Sequence, residues 1–233
     1  MILKDDKGTV VDYFTKFPYD IKNIGLSLSG GMDSALILWC LVEMLRGRQH
    51  LAEGAKIWCT HGYDIFDAIV HDGAVRTRTW KAAQKVLDWI KWHHKDTTII
   101  QPLHVFAYEK KTKVSKEFMH HANYEYIKER YDVPFIIRGV TQGFGIPRNL
   151  DQKGGDKTEK ELIEISKSTW ILPFGAVDKK FIAHQYKRFG LHDLTKITES
   201  CIEIPPCKEC WWCDERYWAF GDYDGGHKRR IVL

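Results

Sequence analysis

Two stretches of the 233-residue sequence carry residue types at spacings that could do chemistry. The first is Ser29-Gly30-Gly31-Met32-Asp33-Ser34, set between the apolar run Ile24-Gly25-Leu26-Ser27-Leu28 and the helical-looking Ala35 to Arg46. A strand that passes through two glycines into a helix lets backbone N–H groups converge on an anion, because no Cβ blocks the approach and the helix N-terminus carries partial positive charge. The chemistry on offer is phosphate binding. The second stretch is Cys201 followed by Cys207-Lys208-Glu209-Cys210-Trp211-Trp212-Cys213, in which two residues separate each successive pair of the last three cysteines. Short turns can aim three thiolates at one point while Cys201 completes a tetrahedron. Zinc accepts such a set with no open position, which makes the site structural. An iron–sulfur cluster and a redox-active cysteine pair are the other readings.

The elements around the first stretch must bring it to a sheet edge where a ligand can reach it. Strands are expected at about 24–28, at Lys56 to Thr60, from Thr97 to Phe106, from Val133 to Arg138 and from Thr169 to Leu172. Helices are expected at Ala35 to Arg46, at about Ala74 to Trp92, at Lys116 to Tyr131, at Glu159 to Ser168 and at Lys179 to Gly190, the last capped by Asp178. Within the first two helices, Ala35, Leu38, Trp39, Val42 and Leu45, and then Trp80, Ala83, Val86, Leu87 and Ile90, recur at helical spacing and read as core stripes. His61-Gly62-Tyr63-Asp64 reads as the break that ends the second strand. Residues 1–23 read as a lead-in packed on the core, and the glycines between Gly143 and Asp156 as a long mobile loop, a candidate lid.

Strands alternating with helices imply an α/β fold with a doubly wound, mainly parallel five-stranded sheet, because parallel neighbours need crossovers and the crossovers here are helical. Ligands in such sheets bind outside the carboxyl ends of the strands. The serine–glycine stretch, the segment Cys59 to Gly62 that includes Thr60, and the segment Gly139 to Gln142 with Arg138 before it and Thr141 within it should converge on one crevice. The division expected is a nucleotide-binding domain over 1–195 and a small four-cysteine zinc lobe over 196–233.

Composition narrows the partners. With 44% hydrophobic and 28% charged residues the chain reads as soluble and globular. A net charge of +4 is too mild to argue for nucleic acid and is compatible with an anionic small molecule. The N-terminal residues lack the apolar core of a secretory signal, and the longest apolar stretch, Ala35 to Leu45, is too short to span a bilayer. A cytoplasmic protein is expected, without a membrane partner and without direct nucleic-acid binding; a homodimer is left open. Four of the six cysteines crowd near the C-terminus while Cys40 and Cys59 lie in apolar runs, a distribution that favours a metal cluster and two buried thiols over a disulfide framework.

The serine–glycine stretch lacks the Lys-Ser or Lys-Thr ending of the Walker loop and the third glycine of the dinucleotide fingerprint. It resembles instead the SGGxDS loop of the PP-loop ATP pyrophosphatases, which cleave ATP between the α and β phosphates to adenylate a substrate. On that resemblance Ser29, Gly30, Gly31 and Ser34 hold the pyrophosphate, and Asp33 sits near a magnesium ion or orients the helix entrance. The bland reading is a glycine turn in which Asp33 and Ser34 merely favour a helix N-terminus.

The tail adds to this. Thr198-Glu199-Ser200-Cys201, Pro206-Cys207-Lys208-Glu209-Cys210-Trp211-Trp212-Cys213-Asp214-Glu215-Arg216 and Ala219-Phe220 are similar to the zinc-bearing tail of the 7-cyano-7-deazaguanine synthase family, whose members also begin with an SGGxDS loop. The resemblance implies an adenine nucleotide alpha hydrolase-like fold and an ATP-dependent C–N ligase acting in queuosine biosynthesis. A 7-carboxy-7-deazaguanine carboxylate would be activated as an acyl-adenylate with loss of pyrophosphate. Ammonia would give the amide, and a second activation the nitrile. ATP, Mg2+ and Zn2+ are the implied cofactors, with Cys201, Cys207, Cys210 and Cys213 as zinc ligands. Lys179 falls where the family has a lysine at a helix start that could touch phosphate; a solvated lysine is the alternative.

Two departures bear on the substrate. Where nitrile-forming members carry an acidic and aromatic segment after the fourth strand, this chain has Gly139-Val140-Thr141-Gln142-Gly143-Phe144-Gly145-Ile146-Pro147-Arg148. Gln142, Asp151 or backbone carbonyls would then meet the donor edge of a guanine-like ring. Five residues separate Cys201 from Cys207, a tight loop. Two further readings stand beside the ligase: a PP-loop tRNA-modifying or sulfur-transferring enzyme with a reactive cysteine, and a catalytically silent nucleotide-binding module whose zinc lobe docks a partner. His93-His94, His120-His121, Arg76, Arg78 and His227-Lys228-Arg229-Arg230 read as solvated surface, and Trp211, Trp212 and Trp218 as a roof over the zinc lobe.

Overall fold

A computed structural model describes residues 1–18, 20–47, 54–64, 80–95, 98–108, 116–142, 170–201 and 206–226. The lead-in contains a short antiparallel hairpin, β1 (Leu3–Lys4) and β2 (Val10–Val11). Its turn is built by the Asp5 carboxylate, which accepts from the Lys7 and Thr9 amides, and by Gly8 at φ +85°. A turn of 3-10 helix follows at Tyr13–Thr15, and Phe14 and Phe17 bury against the core as expected.

The main sheet comprises β3 (Asn23–Ser27), β4 (Lys56–Asp64), β5 (His104–Tyr108), β6 (Ile136–Arg138) and β7 (Trp170–Ile171). Its order is β5-β4-β3-β6-β7 and every pairing is parallel. The helices are α1 (Met32–Arg46), α2 (Trp80–His94), α3 (Lys116–Tyr131), α4 (Lys179–Arg188), α5 (His192–Ile197) and α6 (Trp211–Phe220). Alternation along the strands sorts them onto two faces. Ile24, Leu26, Ile57, Cys59 and Ile137 share one core cluster with α1, α2 and α4, while Ile136 and Trp58 share the other with Tyr124 and Ile127 of α3. This is the doubly wound α/β sheet that the alternating pattern implies.

Four local differences have physical causes. Helix α1 begins at Met32, and it is buried almost all round rather than along one stripe, because Leu36, Ile37, Cys40 and Leu41 are as buried as Ala35 and Leu38. Strand β4 does not break at His61. Its first half pairs with β3 up to Thr60, and its second half, Thr60 to Asp64, pairs with His104 to Tyr108, so a second ladder carries it past Gly62. The third strand correspondingly starts at His104, with only an isolated bridge from Ile100 to Ile57 before it. Trp80, at the first described turn of α2, is 38% exposed and lies outside the buried stripe formed by Ala83, Val86, Leu87 and Ile90. The expected loop at 143–156, the helix at 159–168, Arg76, Arg78 and the 227–230 tail lie outside the described residues.

Candidate functional site

The order β5-β4-β3-β6-β7 reverses direction of winding between β3 and β6, so the carboxyl ends of those two strands flank the crevice where such sheets take ligands. Both ends are tied down. Beyond β3, the Leu28 amide donates to Thr60 O at 2.8 Å, and His61 Nδ1 lies 2.9 Å from Leu28 O. The chain then turns through Gly30, at φ +81°, to Gly31, the N-cap of α1. The hydroxyl of Ser34 stitches the turn: it donates to Gly31 O at 3.1 Å, accepts from the Ser29 amide at 3.2 Å and lies 3.0 Å from Ser29 Oγ. Ser29 Oγ in turn accepts from the Gly31 amide at 3.2 Å. The serines therefore shape the elbow from inside.

The glycines let three segments close on it. A Cβ on Gly30 would lie 2.6 Å from Ala82 Cβ and 2.7 Å from the backbone of α2. One on Gly139, just past β6, would lie 2.5 Å from the Ser34 amide nitrogen. The Gly30 carbonyl accepts from the Glu199 amide at 3.0 Å, so the segment leading to the cysteines is the third wall.

At the first turn of α1, Asp33 meets Lys179 from the start of α4, with Nζ 2.5 Å from Asp33 Oδ2. Asp178 caps α4 by accepting the Phe181 amide at 3.0 Å, which fixes where Lys179 begins the helix. The same ammonium lies 3.2 Å from Glu215 Oε2 on α6. Lys179 is 9% exposed, so it is a buried ion-pair partner and not a solvated lysine. Asp33 Oδ1 is buried with no hydrogen-bond partner among the described residues. Tyr186 of α4 braces the same turn, its hydroxyl donating to Met32 O at 2.9 Å; burial and the Asp33 carboxylate hold that phenol well above its usual range.

The remaining sequence candidates ring this centre. Thr60 is buried, with its carbonyl engaged by the elbow. Thr141 is fully buried, and its hydroxyl has no hydrogen-bond partner among the described residues. Gln142 is pinned through its amide to Val177 O at 2.8 Å. The guanidinium of Arg138 stands 4.2 Å over the ring of Trp170. His61 and Glu215 are the residues of the centre that local sequence did not single out. His61 falls at the expected strand break, and Glu215 lies within the cysteine-tail motif, which gives it no role of its own.

The Sγ atoms of Cys201, Cys207, Cys210 and Cys213 lie within 4.8 Å of one another, with separations of 3.5, 3.9 and 4.0 Å among them. Thiolates about 2.3 Å from one tetrahedral ion stand about 3.8 Å apart, so the four sulfurs fit a single ion and could hold it. A buried cage positions the cluster. Asp224 accepts from the Ser200 amide at 2.7 Å and the Cys201 amide at 2.6 Å, and it pairs with Arg216 Nη1 at 2.7 Å. Arg216, 1% exposed, also donates to Thr195 O at 2.8 Å and Thr198 O at 3.0 Å. The other two cysteines stand apart: both are fully buried, and burial pushes the Cys59 thiol up to about 12 and Cys40 further.

No family model and no curated protein matches the sequence. Among solved structures, the chain is similar to a U34-tRNA thiolase, NcsA, from Methanococcus maripaludis with its 4Fe-4S cluster: 11% identity, TM-score 0.45, covering 74% of this chain and 58% of that one. It is also similar to the FMN adenylyltransferase of Candida glabrata in complex with FMN and the ATP analogue AMPCPP, with 13% identity, TM-score 0.36, and coverage of 74% of this chain and 51% of that one. The chain thus spans little more than half the length of the structures it matches. At these values neither protein's activity transfers to this one. Among the described residues no helix is long and apolar enough to cross a membrane.

Proposed function

We propose that this protein is an ATP-dependent ligase that adenylates a carboxylate, of the 7-carboxy-7-deazaguanine type, and passes the acyl group to ammonia. The observation that carries the reading is the SGGMDS elbow at the switch point of the parallel sheet, with the Asp33–Lys179 pair at the first turn of the helix it opens. A helix N-terminus and a buried ammonium are suited to a pyrophosphate leaving group. The orphaned Asp33 Oδ1 suits a magnesium ion riding on the phosphates. The carboxylate attacks the α phosphorus, pyrophosphate leaves, and ammonia then displaces AMP to give the amide. Renewed activation and loss of the amide oxygen give the nitrile. The chain's own part is to orient the reactants and hold the leaving charge. The four-cysteine cluster is assigned to structural zinc, with no open position for chemistry.

Sulfur transfer to a nucleoside by a reactive cysteine fits less well, because that route needs a thiol free to react. Cys40 and Cys59 are sealed in the core and the remaining four belong to one cluster. Incubation with 7-carboxy-7-deazaguanine, ammonia and MgATP should yield AMP, pyrophosphate and a deazapurine amide or nitrile resolved by mass. ADP and phosphate as products would rule the ligase out.

A further inference from the structure

The ligase reading uses Asp33 and Lys179 but leaves Glu215, which reaches the same ammonium, without a task. Asp33, Lys179 and Glu215 come from α1, α4 and α6, and their side chains are 14%, 11% and 6% exposed. Two largely buried carboxylates reach one ammonium, and taking three charges out of water is costly unless their contacts offset it.

The neighbours of Glu215 supply its task. Asp33 is the carboxylate on the elbow, and its Oδ1 is buried with no hydrogen-bond partner among the described residues. Glu215 is set back on α6, whose N-cap is Cys210 and whose first turn contains Cys213. The neighbouring Arg216 is committed to the cage around Asp224. We propose that Glu215 is a positioning residue that anchors the Lys179 ammonium at the elbow, so that Asp33 can turn to the cation carried by a nucleoside triphosphate while Lys179 stays aimed at its phosphates. Lys179 then exchanges one carboxylate for phosphate oxygens and keeps the other. This deepens the ATP reading and rests on it.

The test uses the full-length, metal-loaded protein and titrates MgATP and AMP. Glu215→Gln should raise the Kd for MgATP about tenfold, the size expected for loss of a charged hydrogen-bond partner, and change the Kd for AMP less than about twofold. Glu215→Asp, which keeps the charge on a shorter arm, should recover most of the loss. In a Lys179→Ala background, Glu215→Gln should add nothing further, since the residue acts through that ammonium. Unchanged MgATP affinity in Glu215→Gln, or an equal loss with Lys179 already removed, would overturn the proposal. A second measurement does not need the nucleotide. With Asp33 replaced by Asn, so that the closer carboxylate no longer holds it, the Lys179 ammonium should give a slowly exchanging 15N signal that a further Glu215→Gln abolishes, and a signal that persists would also overturn the proposal. Wild-type protein that binds no ATP would defeat the ligase reading, and the ammonium signal would still judge whether Glu215 holds Lys179.

Discussion

At Gly30 and Gly139 a methyl group has nowhere to go, and what blocks it is protein. The sequence reads the elbow glycines as clearance for an anion. The geometry gives Gly30 a second duty, docking the elbow on α2 at 2.6–2.7 Å from a hypothetical Cβ, with φ +81°. Gly30→Ala should therefore lose about 2–4 kcal/mol of stability without any ligand, from backbone strain and overpacking together. Urea unfolding of the ligand-free protein checks this; wild-type stability would mean that the glycine serves only the ligand. Asp33→Asn makes the complementary case. Glu215 still pairs with Lys179, so the fold should persist with a melting temperature close to that of wild type. AMP release from the proposed reaction should fall at least about a hundredfold, the scale of removing one electrostatic contact to the reacting group.

Among the elements, α6 joins the two halves of the site, and it was the hardest to read. Its N-cap and first turn hold two of the cysteines, Glu215 faces the elbow and Arg216 faces the cage around Asp224. The cysteines were legible because their spacing is local and the geometry of four thiolates is restrictive. The sheet was legible for a similar reason, since apolar runs and glycine stops recur with the period of a βα unit. The role of Glu215 was not, because the tail motif alone gives it no task and its partner lies at Lys179, far away in sequence. Strand β4 past His61 was hidden too: Gly62 weakens the local signal, and only the ladder to β5 restores it. Arg216 and Asp224 yield a prediction at this scale. Asp224→Ala strips a buried guanidinium of its best partner and frees the Ser200 and Cys201 amides. Breaking such a pair costs about 3–5 kcal/mol. The variant should surrender its metal to a chelating dye much faster than wild type, whereas Lys196→Ala, which removes an exposed i,i+3 pair with Asp193, should not.

Across the whole molecule, the segment around the cysteines and the serine–glycine elbow share a wall. The Glu199 amide donates to Gly30 O, the Glu199 carboxylate pairs with Lys85 of α2 at 3.0 Å, and Glu215 reaches Lys179 and through it Asp33. A backbone hydrogen bond and a buried ion pair thus run from the segment around the cysteines to the elbow, and an exposed ion pair runs to α2 beside it. A metal that orders the first turn of α6 thereby orders one side of the proposed phosphate site. Equilibrium coupling of this kind is reciprocal: if metal tightens nucleotide binding, nucleotide must tighten metal binding by the same factor. Release of metal to an excess of chelator should then slow when MgATP is present at about 100 times its Kd, where binding stabilises the native state by about 2.7 kcal/mol. The slowing should be smaller in Glu215→Gln, which cuts one of the links while leaving the sulfurs untouched. Metal release at the same rate with and without nucleotide would mean that the shared wall transmits nothing, and that the lobe only completes the fold around the elbow.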